Sequence, residues 1–113
     1  VNAENPTTLA PSPGRLWECH WPGGPGIRID SHAHTGYDMP AVFDSLLSKI
    51  ISWGADRAQA ISRMEAALSE TILLGVDTLI PLHQEILKEE DFLNGDVTIR
   101  YLDEHPDLVG GGN

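Results

Sequence analysis

The chain has 113 residues, which suits a single domain, and its apolar content of 41% is ordinary for a globular protein. Its 17 acidic residues against 7 Lys and Arg give a formal net charge of −10 without a basic cluster, which argues against a nucleic-acid partner. No apolar run approaches the ~20 residues that cross a bilayer, so no membrane partner is expected.

The positions of proline and glycine divide the chain into three parts. Residues 1–13 contain three prolines and are predicted to form an extended N-terminal approach segment without a core of its own. Residues 14–105 form the predicted domain, and residues 106–113 a frayed tail. Strands are expected first and helices after. The predicted class is therefore α+β, with an antiparallel β-sheet and a hairpin followed by two or three packed helices.

The strand-forming half contains two short runs in which apolar and polar residues alternate, 15–20 and 27–30. They lie on either side of a segment rich in proline and glycine. Such a connection favours a β-hairpin between the two runs, because glycine permits a positive φ where the chain reverses. In a third run, 45–53, the spacing of the apolar residues does not distinguish a helix from a strand. Its Ile-Ile-Ser-Trp end indicates a strand.

The helical half begins at Asp56, a predicted N-cap. The helix after it is expected to end at Gly75 as a C-cap. A second helix is predicted over 83–89 with Pro81 in its first turn, and a short last helix over 101–104. The first helix is indicated by apolar residues that recur at helical spacing, namely Ile61, Met64, Leu68 and Ile72.

His32 and His34 form the most suggestive local motif, in the sequence Asp30-Ser31-His32-Ala33-His34. In an extended strand the two imidazoles would project to the same face, as two metal ligands could. Asp38 and His20 could complete such a site, but nothing in the sequence specifies their placement. A histidine pair satisfied by backbone or solvent is therefore favoured, and no metal ligand is predicted.

Cys19 is the single cysteine, which excludes an internal disulfide and indicates a reducing compartment, so we expect a cytoplasmic protein. Its neighbour His20 would point to the opposite face of a strand, which makes the two a poor catalytic pair. The segment Gly23-Gly24-Pro25-Gly26 lacks the pattern of a phosphate loop, and the run Glu89-Glu90-Asp91 is expected to be a solvated face. No catalytic residue is predicted.

A series of motifs from Val1 to about Leu102 shares its order and spacing with one enzyme family. In that order the chain resembles the C-terminal domain of the biotin carboxylase family. The motifs are Val1-Asn2-Ala3-Glu4-Asn5-Pro6, Pro11-Ser12-Pro13-Gly14, Pro22-Gly23-Gly24-Pro25-Gly26-Ile27-Arg28-Ile29-Asp30-Ser31-His32, Phe43-Asp44-Ser45-Leu46-Leu47-Ser48-Lys49, Gly75-Val76-Asp77-Thr78 and Tyr101-Leu102.

The resemblance implies a parent enzyme that uses ATP, bicarbonate and Mg²⁺ to carboxylate biotin on a carrier protein. A second biotin carboxylase subunit, the biotin carboxyl carrier protein and a carboxyltransferase are the implied partners. Most catalytic groups and the metal ligands are implied to lie in an ATP-grasp domain outside these residues. We expect this stretch to act as a scaffold, inactive alone and binding no cofactor alone. An acetyl-CoA or other acyl-CoA carboxylase is expected, with pyruvate carboxylase, urea carboxylase or a stand-alone dimerisation and binding module as alternatives.

The resemblance also implies roles for individual residues. Arg28 matches an arginine that crosses the homodimer interface, with a solvated strand arginine as the alternative. Ile99 matches an apolar position that packs against adenine, with core burial as the alternative. Asp44 is expected to make a structural hydrogen bond. Pro25 replaces an aromatic ring that often packs the dimer in the family, and this replacement bears on the strength of the interface.

Overall fold

The computed structural model describes residues 1–41 and 44–109, which contain short strands and four helices. The strands are β1 (Gly14–Arg15), β2 (Glu18–His20), β3 (Ile27–Ser31), β4 (Asp38–Met39), β5 (Ser48–Ser52) and β6 (Ile72–Leu74). The helices are α1 (Arg57–Glu70), α2 (Ile80–Ile86), α3 (Glu90–Leu93) and α4 (Tyr101–Glu104). The α+β class is confirmed, although β6 follows the longest helix. None of the helices in the described part is long and apolar enough to cross a membrane.

The strands pair as three two-stranded antiparallel ribbons, β1 with β4, β2 with β6 and β3 with β5. The predicted hairpin between 15–20 and 27–30 is wrong, because β2 pairs with β6 and not with β3. In the β2–β6 ribbon Cys19 lies opposite Leu73, and both side chains pack against the buried core. Local turn chemistry permits a reversal of the chain, but the burial of these apolar side chains decides which strands pair.

The start of α1 is as predicted, because the Asp56 carboxylate accepts a hydrogen bond from the Gln59 amide. Its end is not, since the helix stops at Glu70 and Thr71 takes an extended conformation, φ −71° and ψ 128°. Gly75 is therefore not a helix C-cap. Its φ is +118°, and a side chain there would overlap the carbonyl oxygen of Arg15.

The later helices follow the predicted order. The second helix is confirmed with Pro81 in its first turn, but it spans Ile80–Ile86 and not the predicted 83–89. The last helix, α4, spans the predicted residues. The short helix α3 was not predicted. Glu89 caps it by accepting a hydrogen bond from the Phe92 amide, so the expected solvated charge run contributes a helix start.

The core lies among β1, β4, β5 and the N-terminal segment. The amide of Ala3 donates to the Ser45 carbonyl at 2.8 Å, which fixes residues 1–13 along this core. The boundary at residue 14 stays a prediction, and of the predicted tail residues 110–113 lie outside the described residues. The strand predicted over 45–53 is confirmed in part, as β5 over Ser48–Ser52. The buried core cluster consists of Ala3, Leu16, Ala33, Met39 and Leu47.

Candidate functional site

Cys19 and His20 do not form a nucleophile and base pair. They are neighbours in β2, where Cys19 is partly buried and His20 is exposed, so their side chains lie on opposite faces as predicted. Burial raises the pKa of the Cys19 thiol, which keeps the sulfur protonated and poorly nucleophilic.

His32 and His34 follow the end of β3, and both rings contact Tyr37. Their centroids lie 5.2 Å and 5.8 Å from the Tyr37 ring in edge-to-face geometry. The Nδ1 atom of His34 lies 2.9 Å from the Thr35 carbonyl oxygen, to which it donates. Within residues 1–41 and 44–109, the side chains with the spacing of metal ligands form a different cluster, described below.

Ile99 lies in the loop of residues 94–100 between α3 and α4, a segment in which every residue is exposed. The relative exposure of Ile99 is 105%, so its side chain projects entirely into solvent. Ile99 is therefore not part of the core that the described residues form. The apolar side chain is available for contact with a ligand.

A cluster of four side chains from α3, α4 and their capping residues closes the base of this loop. Tyr101 donates its phenolic hydrogen to Oε2 of Glu89 at 2.7 Å. Nε2 of His105 lies 2.9 Å from Oδ2 of Asp91 and 3.2 Å from Oε1 of Glu89. We call Glu89, Asp91, Tyr101 and His105 the α3–α4 cluster.

The protonation of the α3–α4 cluster follows from these contacts. Hydrogen bonding to the Tyr101 carbonyl and to Asp91 raises the pKa of His105. The hydrogen bond from Tyr101 lowers the pKa of Glu89, helped by the Phe92 amide. Burial, together with the neighbouring Glu89 carboxylate, raises the pKa of Tyr101. At neutral pH the phenol therefore remains a donor and Glu89 an acceptor.

The cluster is attached to the rest of the domain through Arg57 at the start of α1. The Arg57 guanidinium lies 5.1 Å from the centroid of the Phe92 ring and donates to the Phe92 carbonyl. Phe92 in turn meets the ring of Tyr101 edge-on at 6.4 Å, and Tyr101 stacks on His105 at 4.3 Å. This series of contacts connects α4 through α3 to α1.

Arg28 lies on the outer face of the β3–β5 ribbon, on the side away from the half-buried Ile29 and Ile50. Its side chain is 66% exposed, and its Nε donates to Asp30 at 3.0 Å along the same strand. Ile51, directly opposite Arg28, is 40% exposed and Trp53 is 55% exposed. The outer face of the ribbon therefore combines the charged Arg28, Asp30 and Lys49 with the apolar Ile51, and Trp53 follows directly after β5.

A pocket of about 430 Å³ lies between β5, α1 and α2. The predicted apolar face of α1 contributes Met64 and Leu68 to its wall. His83 also lines it, and burial lowers the pKa of this histidine, which favours the neutral imidazole. The pocket is mainly apolar, and Ser48, Lys49 and His83 are the polar side chains on its walls.

Two further outcomes of the sequence analysis concern Asp44 and the α3–α4 cluster. Asp44 makes the predicted structural hydrogen bond, since its Oδ1 accepts from the Leu46 amide at 2.9 Å. The α3–α4 cluster was missed. A sequence signal for it exists in the spacing of Tyr101 and His105, four residues apart, which is the separation of neighbours on a helix.

Comparison with known proteins identifies close relatives over almost the whole chain. The model of the family "Biotin carboxylase C-terminal domain" matches residues 1–104. The biotin carboxylase of Haemophilus influenzae is 49% identical over 104 residues, which are 92% of this chain and 23% of that protein. A pyruvate carboxylase component of Methanothermobacter thermautotrophicus is 46% identical over 106 residues, which are 93% of this chain and 22% of that protein. The chain thus spans less than a quarter of the length of these relatives.

Solved structures show the same architecture. The biotin carboxylase domain dimer of the 2-oxoglutarate carboxylase of Hydrogenobacter thermophilus, in complex with MgADP, ADP and bicarbonate, has a TM-score of 0.90 and 42% identity. The match covers 95% of this chain and 24% of that one. The biotin carboxylase subunit of pyruvate carboxylase also has a TM-score of 0.90, at 41% identity and with the same coverage.

Proposed function

The chain belongs to the biotin carboxylase C-terminal domain family, and we propose that the polypeptide carrying it is an ATP- and bicarbonate-dependent ligase that carboxylates biotin on a carrier protein. The family match over residues 1–104 is the observation that carries this proposal. Within that enzyme the domain acts as a scaffold and contributes binding surfaces. Cys19 and His20 lie on opposite faces of β2 and form no nucleophile and base pair, which is consistent with a role outside bond making.

The residues of the described part do not fit the magnesium ion that the family implies. Mg²⁺ prefers an octahedral set of oxygen ligands. The cluster with ligand spacing in residues 1–41 and 44–109 includes an imidazole, and its Glu89 and Asp91 carboxylates already accept hydrogen bonds from Tyr101 and His105. The described residues therefore offer no fitting site for magnesium.

Ile99 is the residue that we propose to contact the adenine of ATP. Adenine presents apolar faces, and an isoleucine side chain that projects fully from a loop can pack against one of them. The related 2-oxoglutarate carboxylase domain was solved with ADP, which is consistent with a nucleotide site in this fold. The role of Ile99 is to bind and orient the base while other parts of the enzyme act on the phosphates.

Arg28 is the residue that we propose to cross a homodimer interface, with Ile51 and Trp53 as apolar neighbours on the same face. An arginine beside apolar side chains is typical of interfaces, where the guanidinium can pair with a carboxylate of the partner subunit. The solved relative is a dimer of biotin carboxylase domains, which supports the proposal. Exposed Pro25 offers less contact area than the aromatic ring often present in the family, so we expect a modest interface.

The relatives differ in the acceptor of the carboxyl group, since their names include pyruvate carboxylase and 2-oxoglutarate carboxylase. We propose an acetyl-CoA or other acyl-CoA carboxylase in the cytoplasm, with a carrier protein and a carboxyltransferase as partners. The Pro-Gly-Gly-Pro-Gly segment supports the acceptor class, and the single free cysteine supports the compartment.

Phosphate release from ATP by the full-length polypeptide tests the proposed function. With bicarbonate and Mg²⁺ present, free biotin is expected to stimulate the release. A polypeptide that is folded, binds ATP and shows no response to biotin would contradict the proposal. Addition of the carrier domain with acetyl-CoA or pyruvate and the matching transferase then distinguishes the acceptors.

A further inference from the structure

The loop of residues 94–100 is held in place mainly at its two ends. Its backbone hydrogen bonds are local, with the amide of Gly95 donating to Phe92, that of Asp96 to Asp91 and that of Tyr101 to Thr98, at 2.8–3.0 Å. These bonds shape the turn. They do not by themselves set its distance from the rest of the domain.

The α3–α4 cluster provides the longer-range contacts. The Tyr101–Glu89 hydrogen bond joins residues 12 apart, and the His105–Asp91 contact joins residues 14 apart, so both span the whole loop. Arg57 fixes the α3 side to α1. The loop therefore stands on a base whose closure depends on the imidazole of His105 and the phenol of Tyr101.

The charge of His105 follows from its partners. Nδ1 lies 2.8 Å from the Tyr101 carbonyl oxygen, and Nε2 lies 2.9 Å from the Asp91 carboxylate. Both oxygens can only accept hydrogen bonds, so both ring nitrogens must donate, which requires the imidazolium. Glu89 adds a second negative charge at 3.2 Å from Nε2. Among the described residues that face the ring, Glu89 and Asp91 come from the α3 side and Tyr101 from α4.

We propose that His105, as the cationic link of the α3–α4 cluster, is a positioning residue that holds the 94–100 loop and thereby sets the affinity of Ile99 for the nucleotide base. The inference rests on the proposed function through the role of Ile99. Its consequence is a pH-dependent affinity for ATP. The loop is held while His105 is protonated and becomes less ordered when the imidazole loses its proton.

Steady-state kinetics of the full-length polypeptide with His105→Gln tests the inference. Removal of the cation is expected to raise the KM for ATP about two- to twelvefold near pH 6.5, because a hydrogen-bonded contact contributes about 0.5–1.5 kcal/mol. The KM for biotin is expected to stay unchanged in the same variant. His105→Lys keeps a cation near both carboxylates and should restore most of the ATP affinity while removing its pH dependence. His20→Gln, at an exposed position of β2, is the matched control.

Coupling to Ile99 separates positioning from a general loss of stability. In an Ile99→Ala background the added His105→Gln change should have little further effect on the KM for ATP. Equal effects in both backgrounds would overturn the inference, as would a His105→Gln enzyme with an unchanged KM. Stoichiometric zinc that is lost in His105→Gln would also overturn it, because the cluster would then be a metal site. Wild-type enzyme without biotin-dependent activity would instead contradict the proposed function, and the inference with it.

Discussion

Tyr101 donates a 2.7 Å hydrogen bond to Glu89, a residue 12 positions earlier that also caps α3. One carboxylate oxygen thus accepts from both the phenol and the Phe92 amide, and it joins the start of α3 to α4. Because Tyr101 is buried and Glu89 partly exposed, the contact lies at the border between core and solvent. It closes the loop that presents Ile99.

Replacement of Tyr101 by Phe removes this hydrogen bond and keeps the ring. We expect faster amide hydrogen exchange over residues 94–104 of the full-length polypeptide, measured by mass spectrometry, and unchanged exchange in α1. Leu102, the exposed neighbour of Tyr101, changed to Ala, serves as the control in α4. Unchanged protection of the loop in Tyr101→Phe would show that the hydrogen bond does not order it.

The contribution of His105 to local stability should depend on pH in one direction. Its pKa is raised in the folded state, so the contribution is fully present below the unfolded value of about 6.5 and is lost as pH rises through the folded value. Exchange protection of 101–105, corrected for intrinsic rates, should therefore fall above pH 6.5. The His105→Gln profile should be flat over the same range, and a wild-type profile that rises with pH would contradict the assignment.

Leu16 is fully buried in the core between β1 and β2, with 0% exposure. Leu16→Ala leaves a cavity there and should lower the free energy of unfolding by about 2–5 kcal/mol. Leu93→Ala removes a side chain that is 42% exposed and should cost much less. Urea unfolding of the full-length polypeptide measures both, and similar costs would argue against this core.

Substitution of Gly75 tests the close approach of this glycine to Arg15. A side chain at this position would need φ near +118° and would overlap the Arg15 carbonyl, so Gly75→Ala should destabilise by more than ~1 kcal/mol. The comparison variant is Gly23→Ala, because a side chain at Gly23 meets no atom within 4 Å. If Gly75→Ala proved neutral, the close approach of this glycine to Arg15 would be disproved.

Arg28→Glu should weaken self-association of the full-length polypeptide in sedimentation velocity by placing an acid where a partner carboxylate is expected. Arg15→Glu is matched, since Arg15 is also 66% exposed and pairs with an aspartate on its own ribbon, Asp38. A dimer that weakens equally with both substitutions would point to net charge as the cause. A dimer unaffected by Arg28→Glu would remove Arg28 from the interface.

Local chemistry was predictable where it acts within a few residues. The Asp56 cap, the place of Pro81 in α2 and the extent of α4 all depend on nearest neighbours in sequence, and each was found. The strand partners were not predictable in this way. Residues 72–74 continue the apolar period of α1, yet they pair with β2, because that contact buries Leu73 against a core assembled from distant segments.

The candidate site likewise contains residues that the sequence indicated and residues that it did not. Resemblance to a family indicated Ile99 and Arg28 as single positions, and the structure leaves both exposed. The α3–α4 cluster joins residues 12 to 16 positions apart through side-chain geometry, which no periodicity encodes. Only the four-residue spacing of Tyr101 and His105 was visible in the sequence.

The transfer of labelled carbon from bicarbonate to biotin by the full-length polypeptide tests the central claim most directly. The account predicts acid-labile label on biotin that requires ATP, with a raised KM for ATP in Ile99→Ala. Folded enzyme that hydrolyses ATP but leaves biotin unlabelled would contradict it.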